Sequence, residues 1–279
     1  MKYFDTHTHA NFAAYEEDRD AVMARAREGG VGMNIIGSQC DTSRSAIALA
    51  EKHDDVYATI GLHPTHTDKS HHDEQELGGW GQAFTSRGEE FDSAAYEEMA
   101  RHPKVIAIGE CGLDYFRCEA STKKKQVDAF VQQIELANTV QKPLMLHVRA
   151  SARTSMDAYE DVLEILKSHA KVQGDVHFYA GNWETAKKFL DLGFVLGFNG
   201  VLTFTHDYDE VVRNTPLDSI LSETDAPYLA PTPYRGKRNE PTYVIEVVKV
   251  MATIKGLPQG DVEKALLTNA GRVFGITMV

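Results

Sequence analysis

Six residues of metal-ligand type, His7, His9, Glu110, His147, His177 and Asp225, each stand at or just past the end of a short apolar run. The first run ends in Phe4-Asp5-Thr6-His7-Thr8-His9. Side chains alternate along an extended segment, so His7 and His9 project the same way and can grip one ion. Glu110 closes Val105-Ile-Ala-Ile-Gly-Glu110, where a carboxylate is costly unless it is exposed, paired or ligated. His147 ends Pro143-Leu-Met-Leu-His147, His177 ends Asp175-Val-His177, and Asp225 follows Ile220-Leu-Ser-Glu-Thr224. Taken singly, each has an ordinary reading as a satisfied histidine or a strand-end salt bridge. The argument rests on all six falling at the same end of the same kind of run.

Four imidazoles and two carboxylates suit Zn2+, Mn2+ or Mg2+ without selecting among them. Two neighbouring ions need a bridging ligand, which a carboxylate such as Glu110 supplies and an imidazole does not. Such a pair activates water and stabilises charge developing on a substrate, which is the chemistry of hydrolysis.

The elements that must position these residues follow a βα rhythm. Apolar runs at 2–7, 31–37, 56–62, 105–110, 143–147, 175–178, 194–198 and 220–225 read as strands. Helical periodicity falls between them at 17–28, 43–53, 122–140, 156–167 and 185–192, and after them at 242–254 and 261–270. Nearly continuous apolar strands flanked by helices indicate a parallel sheet buried on both faces, and eight such units close into a TIM-type (β/α)8 barrel. Barrels place catalytic groups at the C-terminal ends of their strands, where the six residues lie. The 279 residues fit one such domain, with no linker or internal repeat to divide it.

Segment 64–103 breaks the rhythm, being far longer than the usual loop of about 2–6 residues. It is rich in His, Asp, Glu and Gly, has a helix expected near 94–101, and reads as a solvated insertion or as a lid beside the site. His66, His71 and His72 within it offer a further place for a metal, against their reading as solvated polar residues.

Three cysteines, Cys40, Cys111 and Cys118, lack metal-knuckle spacing and suggest neither a disulfide framework nor a structural zinc. No apolar stretch is long enough for a membrane span, and no signal peptide precedes the first strand, so a cytoplasmic protein is expected. A net charge of -12 argues against a broad, nonspecific grip on nucleic acid, and leaves room for a local basic patch.

At this point the motifs themselves carry a resemblance along the length of the chain. They are Asp5-Thr-His-Thr-His9, Gly61-Leu-His-Pro64, Gly109-Glu-Cys-Gly-Leu-Asp-Tyr115, Leu146-His147, His177-Phe-Tyr-Ala-Gly181, Glu223-Thr-Asp-Ala-Pro-Tyr-Leu229, Arg235-Gly-Lys-Arg-Asn-Glu-Pro241 and Asn269-Ala-Gly-Arg-Val-Phe274. Together they resemble the TatD family of metal-dependent deoxyribonucleases, within the amidohydrolase-like barrels. The resemblance implies that His7, His9, Glu110 and Asp225 hold one divalent ion, that Glu110, His147 and His177 hold a second, and that Glu110 bridges. It implies that His63 lies near a substrate phosphate, with Arg235, Lys237 and Arg238 bordering it. It also implies catalytic parts for Asp225, Glu110 and His63, and single-stranded DNA or DNA 3' ends as substrate.

The chain departs from the family's usual wording at 178–180, where Phe-Tyr-Ala replaces Cys-Phe-Ser/Thr, and at Val148, where Ser or Cys is common. The ligands survive both changes. Segment 64–103 is longer than the family usually carries. Two other readings stand beside this one: an amidohydrolase of a small amide, lactone or phosphoester, and a non-catalytic metal-binding scaffold. Many amidohydrolase barrels bridge their metals with a carboxylated lysine at a strand end, but Lys142 precedes its strand and sits at the wrong end for that.

Overall fold

A computed structural model of the chain describes residues 1–69, 71–72, 84–85, 88–117 and 119–278. Its main sheet has eight parallel strands: β1 (Tyr3–Thr8), β2 (Val31–Ile36), β3 (Val56–Ile60), β4 (Val105–Asp114), β5 (Leu144–Arg149), β6 (Gly174–Val176), β7 (Val195–Phe198) and β8 (Ile220–Ser222). They lie side by side in chain order. The seam between first and last is closed by a parallel bridge from Thr8 to Ala226, with His9 N donating to Ala226 O at 2.7 Å and Asp225 N to His7 O at 2.9 Å. Every residue of β1, β2, β4 and β8 is buried, as an all-parallel sheet covered by helices requires.

Between the strands run α1 (Arg19–Glu28), α2 (Cys40–Ala50), α3 (Ser93–Ala100), α4 (Lys123–Val140), α5 (Asp157–His169), α6 (Trp183–Asp191) and α7 (Asp209–Asn214), and after them α8 (Val244–Lys255) and α9 (Gln259–Phe274). Local signals start several of these. Asp92 accepts hydrogen bonds from Ala94 N and Ala95 N at the start of α3, and Asn182 accepts one from Thr185 N at the start of α6. In α5, the buried residues Ala158, Tyr159, Val162, Leu163 and Leu166 form one helical stripe toward the sheet. Among the described residues no helix is long and apolar enough to cross a membrane.

A separate apolar cluster takes one side chain from each of several strands, including Phe4, Ile36, Ile106, Met145, Val195 and Leu221, and rests on Ala270 and Phe274 of α9. In or just past β1, β4, β5 and β8 the ionisable residue follows its apolar neighbour by two to four positions, so this cluster plugs the barrel beneath a polar mouth.

Several strand ends differ from the sequence expectation, and three of them bear on the site. β4 does not stop at Glu110 but continues to Asp114, with a register shift between Ile108 and Cys111 that re-aims Glu110. β6 ends at Val176 and β8 at Ser222, so His177 and Asp225 belong to the loops that follow. Short α7 was not marked by periodicity, its 6 residues being too few for a helical stripe. In segment 64–103, a 3-10 turn (Pro64–Thr67) and α3 frame one antiparallel pair, His71–His72 with Phe84–Thr85. His66, expected to be solvated, is buried in that turn, whereas the side chains of His71 and His72 lie outside the described residues, as does Cys118.

Candidate metal centre

The six sequence-selected residues converge around the carboxylate of Glu110. His7 Nε2 and His9 Nε2 face each other at 3.2 Å. Glu110 Oε2 lies 3.5 Å from His7 Nε2 and 3.8 Å from His9 Nε2, while Asp225 Oδ1 lies 3.8 Å and 3.6 Å from the same two nitrogens. Around an ion with ligand distances of about 2.1 Å, tetrahedral donors stand roughly 3.4 Å apart, so His7, His9 and Glu110 have the spacing of a coordination shell, with Asp225 beside its two imidazoles. Two ring nitrogens face to face with no donor between them also need a cation, or a shared proton, to be satisfied.

The other oxygen of Glu110 serves a second group. Its Oε1 lies 2.8 Å from His147 Nδ1, 3.4 Å from His177 Nε2 and 3.4 Å from His63 Nε2. His63, Glu110 and His147 have the spacing of a cation-binding trio, as do His7, His9 and Glu110. The tautomer of His63 gives it a different part. Thr65 N donates to His63 Nδ1 at 3.2 Å, which puts the imidazole proton on Nε2 and makes that atom a donor rather than a ligand.

The other imidazoles are oriented from behind. His9 Nδ1 faces Ile36 O at 3.3 Å, His147 Nε2 faces Asp114 Oδ2 at 3.0 Å, and His177 Nδ1 faces Glu223 Oε1 at 3.0 Å. An oxygen beside the far nitrogen holds a proton there, so the near nitrogen, once it gives up its own proton, turns a lone pair to the centre. Asp114 is itself fixed, because its Oδ1 accepts Phe116 N at 3.0 Å and Arg117 N at 2.8 Å. Glu223 Oε1 accepts Phe178 N at 2.6 Å. His7 stacks on His177 with ring centres 3.5 Å apart, and its Nδ1 touches Met145 Sδ of the apolar plug at 3.2 Å.

Burial and charge divide the group electrostatically. Burial raises the Glu110 carboxyl, but His63, His7, His177 and His147 outweigh it and hold the group well below the ordinary range, so it is ionised. Burial, aided by neighbouring His177, brings His7 down to about 4. Burial also works against charge on His177, yet Glu223 and Glu110 push it up to about 10. Asp225 is lowered against its burial by His9, His177 and His7. Asp225 also holds φ 55, in the left-handed region that Asp tolerates better than most residues and that is common at functional sites.

Not every sequence-selected residue joins the centre. Arg238 forms a bidentate pair with Asp18, at 2.8 and 2.7 Å, and donates to Ala14 O at 2.7 Å. Arg235 and Lys237 are exposed in the loop after β8, with Arg235 anchored to Ala230 O at 2.7 Å. Lys142 Nζ donates to the carbonyls of Ala100, His102 and Val105, away from the ligands. Sequence reasoning did not single out Asp114 or Glu223, whose parts depend on neighbours in other strands.

The sequence profile described as TatD related DNase matches residues 4–275. An uncharacterized metal-dependent hydrolase, YabD of Bacillus subtilis, is 36% identical over 278 residues, covering 98% of this chain and 99% of the relative. The 3'-5' ssDNA/RNA exonuclease TatD of Klebsiella pneumoniae is 32% identical over 283 residues, covering 98% of each chain. Among solved structures, the TatD homolog YJJV of Escherichia coli superposes with a TM-score of 0.83 at 26% identity, covering 99% of each chain.

Proposed function

From the premise that the chain belongs to the TatD-related DNase family of metal-dependent hydrolases, we propose that it is a 3'-5' exonuclease acting in the cytoplasm on phosphodiester bonds of single-stranded DNA. The observation that carries the reading is the two-sided use of one buried carboxylate. Glu110 turns Oε2 to His7 and His9 and Oε1 to His147 and His177. We assign His7, His9, Glu110 and Asp225 to one divalent ion and Glu110, His147 and His177 to a second, the ions being Mg2+, Mn2+ or Zn2+. Bound there, such ions supply electrostatic stabilisation of a phosphoryl oxygen and a lowered pKa for water.

The chain's own residues do the rest. Asp225, ionised and beside the first ligand pair, accepts the proton of the attacking water. His63 Nε2–H donates to an oxygen of the scissile phosphate. The exposed cations Arg235 and Lys237 border the phosphate chain, while Arg238 braces their loop through Asp18.

The test uses a panel of labelled oligonucleotides, single- and double-stranded, with chelated protein and each cation restored in turn. Activity should vanish on chelation and return on single-stranded DNA, and elemental analysis should find two ions. Glu110→Ala should lose both ions and His177→Ala should retain one, because only Glu110 serves both groups. Full turnover by metal-free protein would sink the proposal.

A further inference from the structure

Among the described residues four large apolar side chains are exposed: Phe116 at 56%, Phe204 at 42%, Leu257 at 41% and Leu229 at 39%. Leu257 lies in the turn between α8 and α9, but the other three follow strands on the rim that carries the metal centre. Phe116 stands two residues past Asp114, the partner of His147. Phe204 follows the turn Gly200–Thr203 beyond β7. Thr232 N donates to Thr203 Oγ1 at 2.8 Å, tying that turn to the loop that holds Leu229 and Arg235.

Each phenyl ring carries an arginine. The guanidinium carbon of Arg149 lies 4.1 Å from the Phe116 ring centre, and that of Arg235 lies 3.9 Å from the Phe204 ring centre. Arg149 is two residues past His147 and pairs in register with Asp114, so the first couple sits directly above one ligand group. The second stands in the loops beyond β7 and β8, three strands further round the barrel.

A cation over an exposed ring gains only about 0.5–1 kcal/mol, too little to account for two phenyl groups left in water at one rim. A flat apolar face beside a fixed guanidinium matches the two halves of a nucleotide, since a base stacks on the ring and a phosphate is neutralised by the cation. We propose that Phe116 with Arg149, and Phe204 with Arg235, are two stacking clamps that seat unpaired bases on either side of the phosphate held at the metal centre. This deepens the nuclease reading and rests on it. Bases within a duplex already stack on one another, so the clamps select strands whose bases are free.

The experiment compares KM for a single-stranded oligonucleotide and for one of equal length whose nucleotides flanking the cleaved phosphate lack bases. It uses full-length wild type, Phe116→Ala, Phe204→Ala, the double variant and the matching Trp variants, with each divalent cation restored. Wild type should prefer the base-bearing oligonucleotide by roughly tenfold or more in KM, the alanine variants should lose that preference stepwise, and Trp should restore it. Equal KM values for wild type on both oligonucleotides, or alanine variants that keep the full preference, would overturn the clamps and leave the nuclease reading standing. Failure to cut either oligonucleotide with any cation overturns the nuclease reading, and the clamps with it.

Discussion

His177 brings a proton to the metal-free centre. Glu223 and Glu110 push its pKa up to about 10, against burial, so the imidazole is charged at neutral pH. An imidazole ligates only when neutral, so loading a cation would expel that proton. His147 is raised in the same sense by Asp114 and Glu110, again against burial, and adds to the effect. The sign is therefore fixed: cation affinity falls as pH falls, by about tenfold per pH unit for each proton expelled, over the range below the raised pKa. Calorimetric titration of a divalent cation in buffers of different ionisation enthalpy measures the number directly. At least one proton should leave per protein near neutral pH, and fewer should leave from Glu223→Gln; a cation uptake that releases none would contradict the assignment of His177 as a ligand.

At the scale of elements, β4 does the most for the site. It brings Glu110 to the centre, then runs on so that Gly112 pairs with His147 and Asp114 with Arg149. Gly112 holds φ 137, and a Cβ there would stand 2.1 Å from His147 O, so no larger residue fits without moving β5. Gly112→Ala should lower the melting temperature by several degrees, on a strain of about 1–3 kcal/mol, and weaken cation binding as His147 shifts. Gly256→Ala, where φ is 66 but nothing lies within 4 Å, should cost less and leave cation binding alone. Differential scanning fluorimetry with and without added cation separates the two, and equal behaviour of both variants would refute a special part for Gly112. The same strand marks the limit of sequence reading. The six ligand-type residues were legible because each ended an apolar run, and the eight strands because those runs recur. The second half of β4 was not, because Cys111-Gly112 resembles a turn until its pairing with β5 is known. Asp114 and Glu223 were hidden for a related reason, since an orienting carboxylate is defined by a histidine on another strand.

For the whole molecule, a net charge of -12 means that any grip on a phosphate chain is local. Arg235 and Lys237 are exposed beside the mouth, whereas Arg238 is committed to Asp18, a pairing across the seam that spacing along the chain does not reveal. Replacing Arg235 and Lys237 together by Gln should flatten the dependence of log K on log salt by about 1.4 for a single-stranded oligonucleotide, at roughly 0.7 per phosphate contact. Fluorescence anisotropy with chelated protein measures it, and an unchanged slope would remove both residues from the phosphate path. The seam has one more consequence. Asp225 N bonds to His7 O, so the first ligand group joins residues more than two hundred positions apart in the chain. His7 and His9 therefore cannot meet Asp225 until the eighth strand has formed and closed on the first. A fragment that stops before the eighth strand lacks Asp225 and cannot complete the proposed shell.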